Sequence, residues 1–433
     1  MMRLAKQFEE YAGMLAKALG HADRVGPFKD YCTGLMLSGE RKSVEPMAAR
    51  VSPTRVSSAH QSLHHFVAEA DWSDALLSSR VREWVLPQMR RQAPIEAWIV
   101  DDTGYPKKGT HSVGVARQYC GQLGKQDNCQ VAVTLSVANE LASLPIAYRL
   151  YLPKDWAADA KRRAKARVPQ EVRFETKGAI ALAQIEQALA EGVPQGVVLA
   201  DAAYGTDSKF RQRLSELGLR YAVGIVSTTS VWPEGKEPLA PKPWSGKGRP
   251  TKLLRRDAKH KPVSVKALAA SLPQQQWRHV TWRAGAEGEF CSRFARVRVR
   301  PAHHDYWRAQ PWPEQWLLIE WPSGAPEPIK YWLSTLGDNL SLAELVRIAK
   351  LRWRIERDYQ ELKQELGLGH FEGRGWRGFH HHATLCIAAY GFLVAQRAQT
   401  EARSKKNRSA WLKVPALPAN FRPRGSPEPR SAP

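Results

Sequence analysis

The first 95 residues carry apolar side chains at helical spacing. In the segment RLAKQFEEYAGMLAKAL they recur every three or four residues, as on one face of an amphipathic helix. Further helices are expected at roughly 44–50, 58–70 and 72–92. Residues 1–94 should therefore form a helical N-terminal domain. Its Lys and Arg side chains suit a DNA-binding domain, and a helical cap with solvated charges is the alternative.

From residue 95 the pattern changes to short strands that later alternate with helices. The predicted strands lie at 96–104, 130–140, 145–153, 196–201 and 220–226. The first three could pair as an antiparallel meander. Helical stretches at 175–191 and 208–217 separate the last three, and such alternation favours parallel pairing. We expect an α/β core whose first part spans residues 95–227.

Residues 228–335 break this alternation and predict a β-rich, basic insertion. Segment 230–261 is rich in Pro, Gly and Lys, which indicates an exposed basic loop. Strand-like runs follow at 277–285, 290–302, 314–322 and 329–336. Tryptophans interleaved with basic residues suit base stacking and phosphate contact. The alternative is that most of these tryptophans form the core of a small sheet.

The second part of the core is expected at 336–398 and contains the clearest helix of the sequence, 341–366. Ser341 and Glu344 form a capping-box pattern at its start, and Gly367 stands where a helix ends. A last helix is predicted at 382–398, followed by a basic, disordered tail at 399–433. Three consecutive histidines, 380–382, cannot all face one metal ion, so they are expected at the surface or near DNA.

The net charge of the chain limits the kinds of molecule that it can be expected to bind. The chain has 65 Lys and Arg against 42 Asp and Glu, a formal net charge of +23. An excess of this size points to a polyanion, either nucleic acid or an anionic membrane. The sequence has no run of about 18 apolar residues, which argues against a membrane protein. Five scattered cysteines fit buried thiols in a reducing cytoplasm. Nucleic acid is therefore the expected partner.

A few acidic residues stand out in this basic chain. Asp101 and Asp102 end the first strand, Asp201 ends the fourth, and Glu356 lies within the long helix. Carboxylates that project together from neighbouring elements can hold two Mg²⁺ ions, since Mg²⁺ prefers oxygen ligands. Two such ions stabilise the attacking and leaving oxygens of phosphoryl displacement. The acids therefore predict a metal-dependent site acting on a phosphodiester.

The long helix adds a stripe of polar side chains. Arg352, Glu356, Tyr359 and Lys363 follow one another at spacings of four, three and four, which places them on one face. A carboxylate flanked by Arg and Lys suits a metal ligand beside a DNA backbone. An ordinary ion-pair stripe on a solvated face is the alternative.

Four sequence blocks carry a resemblance to a known family. The long ones are IVDDTGYPKKGTHSVGVARQYCGQLGKQDNCQVAV and LRWRIERDYQELKQELGLGHFEGRGW, the second preceded by YWLSTL; the short ones are VVLADAAYG and RKSVEPMA. With these blocks the chain resembles the DDE transposases of the IS4/IS701 insertion-sequence group, which have an RNase H-like catalytic core. The blocks span most of the chain from about residue 40 to 395.

The resemblance implies a role for each motif residue. The first catalytic Asp of the group is followed by Thr, which selects Asp102; strand alternation alone does not choose between Asp101 and Asp102. Asp201 and Glu356 complete the implied metal-binding triad. Arg352 and Lys363 match the basic residues of the group's Tyr/Arg/Glu/Lys signature and are implied to hold DNA phosphates. Ala349 replaces the signature tyrosine.

The lysines at 107 and 108 extend the predicted DNA-binding set. Lys107 and Lys108 follow the first acid in a turn, PKKG, and are candidate contacts to the DNA backbone. A solvated loop is an equal alternative for both.

The function implied is metal-dependent DNA cleavage at insertion-sequence ends, followed by transfer of the 3′-OH into target DNA. The expected cofactor is Mg²⁺, with two ions per site and Mn²⁺ able to substitute. The expected partners are terminal inverted repeats, target DNA and a second copy of the chain, in a bacterial cytoplasm at the nucleoid. A non-transposing nuclease with this core and a domesticated, non-catalytic DNA-binding protein are the alternatives.

Overall fold

The computed structural model describes residues 2–285 and 288–403, and these form two compact units. The first unit combines residues 2–95, 101–192 and 354–403, whereas the second combines 96–100 and 193–353. Both units are therefore built from separate stretches of chain. The domain bounds expected from the sequence stay predictions, and residues 404–433 of the expected tail lie outside the described residues. Across the described ranges, no helix is long and apolar enough to cross a membrane.

The first unit opens with five helices, of which all but the second were expected from the sequence. They are α1 (Met2–Ala16), α2 (Val25–Met36), α3 (Val44–Val51), α4 (Val56–Ala68) and α5 (Asp74–Gln92). The apolar stripe of α1 is buried through Phe8, Tyr11 and Leu15, which stand three and four residues apart. Ser73 begins α5 by accepting the N–H of Leu76. The helical N-terminal region is thus confirmed as helical.

Strands and further helices of the first unit follow. The strands are β1 (Ala97–Pro106), β2 (Ala116–Cys120), β3 (Lys125–Ala138) and β4 (Ser143–Leu150); the helices are α6 (Lys154–Ala158), α7 (Ala160–Lys165) and α8 (Lys177–Ala190). β3 pairs antiparallel with both β2 and β4, and it is hydrogen-bonded to β1. β2 has no predicted counterpart, because its sequence ARQYC is mostly polar and gives no apolar pattern.

The second unit is a mixed sheet with a β-rich part. Its elements are β5 (Val197–Ala200), α9 (Ala202–Gly205), α10 (Ser208–Glu216), β6 (Tyr221–Ile225), β7 (Ser230–Pro233), β8 (Val263–Ser264), α11 (Val265–Ala270), β9 (Arg278–Gly285), β10 (Gly288–Pro301), β11 (Gln315–Trp321), β12 (Lys330–Ser334) and α12 (Leu342–Lys350). The start of β1 pairs parallel with β5, and β5 pairs parallel with β6. From β12 onward the pairing is antiparallel. This architecture confirms the predicted fold class, an α/β RNase H-like mixed-sheet core with a β-rich insertion.

The prediction of one continuous helix at 341–366 is wrong, because the structure divides this segment. The capping box of Ser341 and Glu344 is present, but α12 ends at Lys350 and α13 (Trp353–Gln360) starts anew. A π-helical turn, Glu361–Glu365, follows. α12 is anchored within the second unit and α13 within the first, as their contacts below show. Side-chain periodicity cannot reveal such a break, because it reports only which face of a helix is buried.

The last helix, α14 (Trp376–Arg403), begins six residues earlier than predicted and overturns the expectation for its histidines. His380, His381 and His382 are buried rather than exposed. The backbone N–H of Leu150 donates to His380 Nε2, and His382 Nε2 contacts the carbonyl oxygen of Gly367 at 3.0 Å. His381 contacts the carbonyl oxygens of Val67 and Trp72. The three rings therefore join α14 to other parts of the first unit, a role that local sequence does not reveal.

Candidate active site

Asp102 lies within β1, half-buried and paired with a lysine. Lys177 Nζ donates to Asp102 Oδ2 at 2.8 Å. Lys177 is the first residue of α8, whose N-cap Thr176 accepts the N–H of Ala179. The start of α8 thus fixes an ammonium against the carboxylate. Sequence reasoning missed Lys177, because 75 positions separate it from Asp102 and only the fold joins them.

Asp101 is engaged differently. Its Oδ1 accepts the backbone N–H of Asp102 at 2.9 Å, and its carbonyl oxygen accepts the Thr134 hydroxyl at 3.4 Å. Both aspartates are half-buried. The choice of Asp102 as the metal ligand therefore stays a prediction from the resemblance.

Helix α13 is anchored to β3 within the first unit, and the π-helical turn that follows it is anchored to β1. The hydroxyls of Tyr359 and Thr134 are 2.5 Å apart, and Thr134 contacts the carbonyl of Asp101. One turn further on, Lys363 Nζ donates to the Gly104 carbonyl at 2.8 Å. Glu356 stands one turn before Tyr359 and is exposed. The first unit thus places Glu356 on the element next to the aspartate pair.

Burial shapes the ionisation of the two residues that hold α13 in place. Burial raises the pKa of Tyr359, and the charges of Asp101 and Asp102 raise it further, so the phenol stays neutral. Burial lowers the pKa of Lys363 to about 8. Its ammonium also lies 3.2 Å from Gln122 Oε1 and 4.8 Å from the centre of the Tyr105 ring. The Lys363 ammonium, which is predicted to bind a DNA phosphate, is therefore already hydrogen-bonded to β1.

Asp201 lies in the second unit, directly after β5. Its Oδ1 accepts the N–H of Ala203 and so caps α9, and its Oδ2 lies 3.8 Å from the Arg352 guanidinium. A Cβ on Gly205 would meet the Gly224 carbonyl oxygen at 2.1 Å. Only glycine therefore allows the turn after Asp201 to approach β6 this closely.

Two ion pairs hold α12, the helix that precedes Arg352, within the second unit. Arg347 forms two hydrogen bonds of 2.9 Å with Glu96. Lys350 Nζ lies 2.6 Å from both oxygens of the buried Glu320. Paired charges of this kind tolerate burial because each satisfies the other. They fix the end of α12 and thereby the position of Arg352 beside Asp201.

The two remaining candidate lysines differ in their surroundings. Lys107 is half-buried, donates to the Phe371 carbonyl at 2.9 Å, and has its pKa lowered by burial. Lys108 is exposed. Of the two, Lys108 offers its charge to solvent, and the DNA contact proposed for both stays a prediction.

The chemistry of the three candidate ligands fits a hard divalent ion, because all three offer carboxylate oxygens. Within residues 2–285 and 288–403, no group of three or more His, Cys, Asp and Glu side chains is placed to hold a metal ion as it stands. Lys177 and Arg352 put positive charge beside Asp102 and Asp201. A metal ion and the Lys177 ammonium would therefore compete for Asp102.

Two comparisons with known proteins identify relatives of the chain. A sequence model described as DDE superfamily endonuclease matches residues 14–289, well over half of the chain. The chain is also similar to a protein from Microchaete diplosiphon named probable transposase for insertion sequence element IS701, with 33% identity over 205 residues. That alignment covers 47% of this chain and 50% of the relative, so the chain spans about half the relative's length. The matched region contains Asp102 and Asp201 and ends before Glu356.

Proposed function

The chain belongs to the DDE superfamily endonucleases, and from this we propose that it is a DNA transposase. It would cleave at the ends of an insertion sequence and join the freed 3′-OH to target DNA. The observation that carries the proposal is the arrangement of acids. Asp102 and Asp201 lie on or next to core strands, each beside a cation, and Glu356 lies on a helix anchored to β3 at Thr134, which also contacts the Asp101 carbonyl.

Each residue has a proposed role in this chemistry. Asp102, Asp201 and Glu356 would hold two Mg²⁺ ions, or Mn²⁺ in their place. Bound ions of this kind stabilise the attacking and leaving oxygens of in-line displacement at phosphorus. Arg352 and Lys363 would bind DNA phosphates, to which a guanidinium and an ammonium are suited.

Exchange of single carboxylates tests the catalytic assignment. Asp102→Asn, Asp201→Asn and Glu356→Gln should each lower Mg²⁺-dependent cleavage of DNA carrying the element's ends by about a hundredfold or more, because lost ion binding forfeits several kcal/mol of charge stabilisation. The matched control is Glu365→Gln, an exposed carboxylate in the following turn, which should cleave normally. DNA affinity in EDTA should be kept by all four. Full cleavage by Glu356→Gln would refute the assignment.

Joining of ends separates the proposal from its alternatives. Pre-cleaved element ends incubated with the protein, Mg²⁺ and a supercoiled plasmid should yield covalent plasmid–end products. A nuclease that does not transpose would cut without joining, and a domesticated binding protein would retain DNA without a response to Mg²⁺ or EDTA. Either result would replace the proposed function.

The proposed partners follow from the reaction. Terminal inverted repeats and target DNA are the substrates, and two ends must meet, so we propose a homodimer on DNA. Mass photometry of the protein with end DNA should show two chains per complex. The proposed location is the bacterial cytoplasm, at the nucleoid.

A further inference from the structure

The tryptophans of the basic insertion range from buried to largely exposed. Trp232, Trp277 and Trp332 are buried and belong to the core of the second unit, which agrees with the alternative that such tryptophans form the core of a sheet. Trp307 and Trp244 are 63% and 58% exposed. A single exposed aromatic side chain is ordinary, but Trp307 lies in a cluster of exposed rings, and such a patch indicates a binding site.

Trp307 belongs to a turn whose backbone is fixed by buried contacts. Its neighbour Asp305 is fully buried, accepts the indole N–H of Trp232 at 2.6 Å and pairs with Arg256 at 2.6 Å. Trp312 donates its indole N–H to the carbonyl of His303 at 2.9 Å. A buried, doubly satisfied carboxylate in the middle of the turn holds its backbone in place. The flanking side chains are therefore pre-organised.

These flanking side chains form an exposed aromatic platform of His304, Tyr306 and Trp307. The rings of His304 and Trp307 are stacked, with centres 4.2 Å apart and planes 6° apart. Tyr306 stands across the edge of Trp307, at 76° and 5.3 Å. His304 adopts a left-handed backbone, φ 50°, which a residue other than glycine rarely takes. Since His304 covers one face of Trp307, the exposed area lies on the remaining face and edges.

A segment of net positive charge contacts the platform. Segment 234–261 carries nine Lys and Arg and three Asp and Glu, so 9 − 3 gives a net charge of +6. The segment touches the turn directly, because Leu254 N–H donates to the Arg308 carbonyl at 2.9 Å and Arg256 lies over the Tyr306 ring at 5.2 Å. Phosphates would therefore find cations beside the rings.

We propose that the platform binds unpaired bases of DNA by stacking on Trp307. A base that stacks on Trp307 needs a free face, and bases within a duplex already stack on their neighbours, so the platform favours single-stranded over duplex DNA. The flanking cations would hold the backbone of the same strand. The inference needs DNA as the partner but does not depend on the proposed cleavage.

Binding of a fluorescein-labelled oligothymidine by the full chain in EDTA tests the platform. Trp307→Ala should weaken this binding by about tenfold, the size typical of one lost base stack, whereas affinity for a perfectly paired hairpin should change by less than about twofold. Trp307→Phe keeps an aromatic face and should restore most of the affinity. Tyr119→Ala, an exposed aromatic side chain on β2 outside the basic insertion, should bind like the parent.

Three results of the binding assay would overturn the proposal. These are unchanged affinity of Trp307→Ala for oligothymidine, an equal loss for oligothymidine and hairpin, and a Phe variant as weak as the Ala variant. Photo-crosslinking with 5-iodouracil in the oligonucleotide gives a second measurement on the parent protein, and adducts should map to 304–307. Adducts found only elsewhere would also refute the platform. Because binding is measured in EDTA, where metal-dependent cleavage does not occur, failure of the catalytic proposal is distinguishable.

Discussion

At the scale of single residues, Lys177 is the feature with the most direct consequence. Its ammonium neutralises Asp102 before any metal arrives. Lys177→Met should therefore increase the affinity for Mn²⁺ by up to about tenfold, because a positive charge near the ligand is removed and the site is partly screened by solvent. Isothermal titration calorimetry with Mn²⁺ measures this affinity. Lys154→Met, the same charge change at an exposed site, should leave Mn²⁺ affinity unchanged, and equal effects of both would contradict the role of Lys177.

Asp358 gives a second residue-scale prediction. It is buried, Ser143 and Tyr390 donate to its Oδ1 at 2.5 and 2.8 Å, and burial raises its pKa to about 6. The folded state then binds more protons than the unfolded state between about pH 4 and 6, so this group makes stability fall as pH rises through that window.

Asp358→Asn should therefore become more stable relative to the parent as pH rises from 4 to 7, by roughly 2–3 kcal/mol over the window. Urea unfolding at several pH values gives this difference. Asp155→Asn, at an exposed position, should show no such trend. A constant difference between Asp358→Asn and the parent would show that Asp358 is ionised equally in both states.

Residue types and spacing predicted the acidic residues and Arg352, but not the lysine that pairs with Asp102. Asp201 and Glu356 were found because each lies in a recognisable local motif. Lys177 beside Asp102 and Glu320 beside Lys350 are contacts between elements distant in the chain. No local pattern encodes such pairs, because they depend on which faces the fold brings together.

At the scale of elements, α14 is held by its histidines, and this makes stability sensitive to acid. Burial lowers the pKa of His382 to about 4, while its Nε2 faces the Gly367 carbonyl and its Nδ1 lies 2.9 Å from the Tyr31 hydroxyl. The unfolded state binds more protons between about pH 4 and 6.5, so stability is lost as pH falls through this window.

His382→Gln should be less stable than the parent at pH 7, because ring packing is lost, but its stability should fall less steeply between pH 6.5 and 4.5. Thermal unfolding across this range tests the prediction. His65→Gln, on an exposed face of α4, is the control and should follow the parent. A parallel pH curve for His382→Gln would mean that the ring does not titrate on unfolding.

Most helices and strands could be predicted from the periodicity of apolar residues. The features that this periodicity missed have a common cause. Strand β2 is too polar to stand out, and the break after Lys350 arises where anchoring passes from Glu320 in one unit to Thr134 and Gly104 in the other. Tertiary contacts decide both features. Local sequence determines which residues can form a helix, and the partners of those residues determine where it stops.

At the scale of the whole molecule, the net charge of +23 predicts a strong dependence of DNA binding on salt. Each phosphate contact releases counterions, so affinity for duplex DNA should fall by about a hundredfold or more between 50 and 200 mM KCl. Fluorescence anisotropy at four salt concentrations gives the slope. A change below about threefold would mean that the basic residues do not contact the phosphates.

The packing of α14 also bears on how the protein is synthesised. This helix contacts α2, α4 and α5, near the other end of the chain. A ribosome releases the N-terminal helices long before residues 376–403 exist, so these helices wait for their partner while the intervening residues are made. A product that stops before α14 would carry Asp102, Asp201 and Glu356 but expose the apolar faces that α14 covers. Premature termination thus yields an aggregation-prone chain rather than a smaller enzyme.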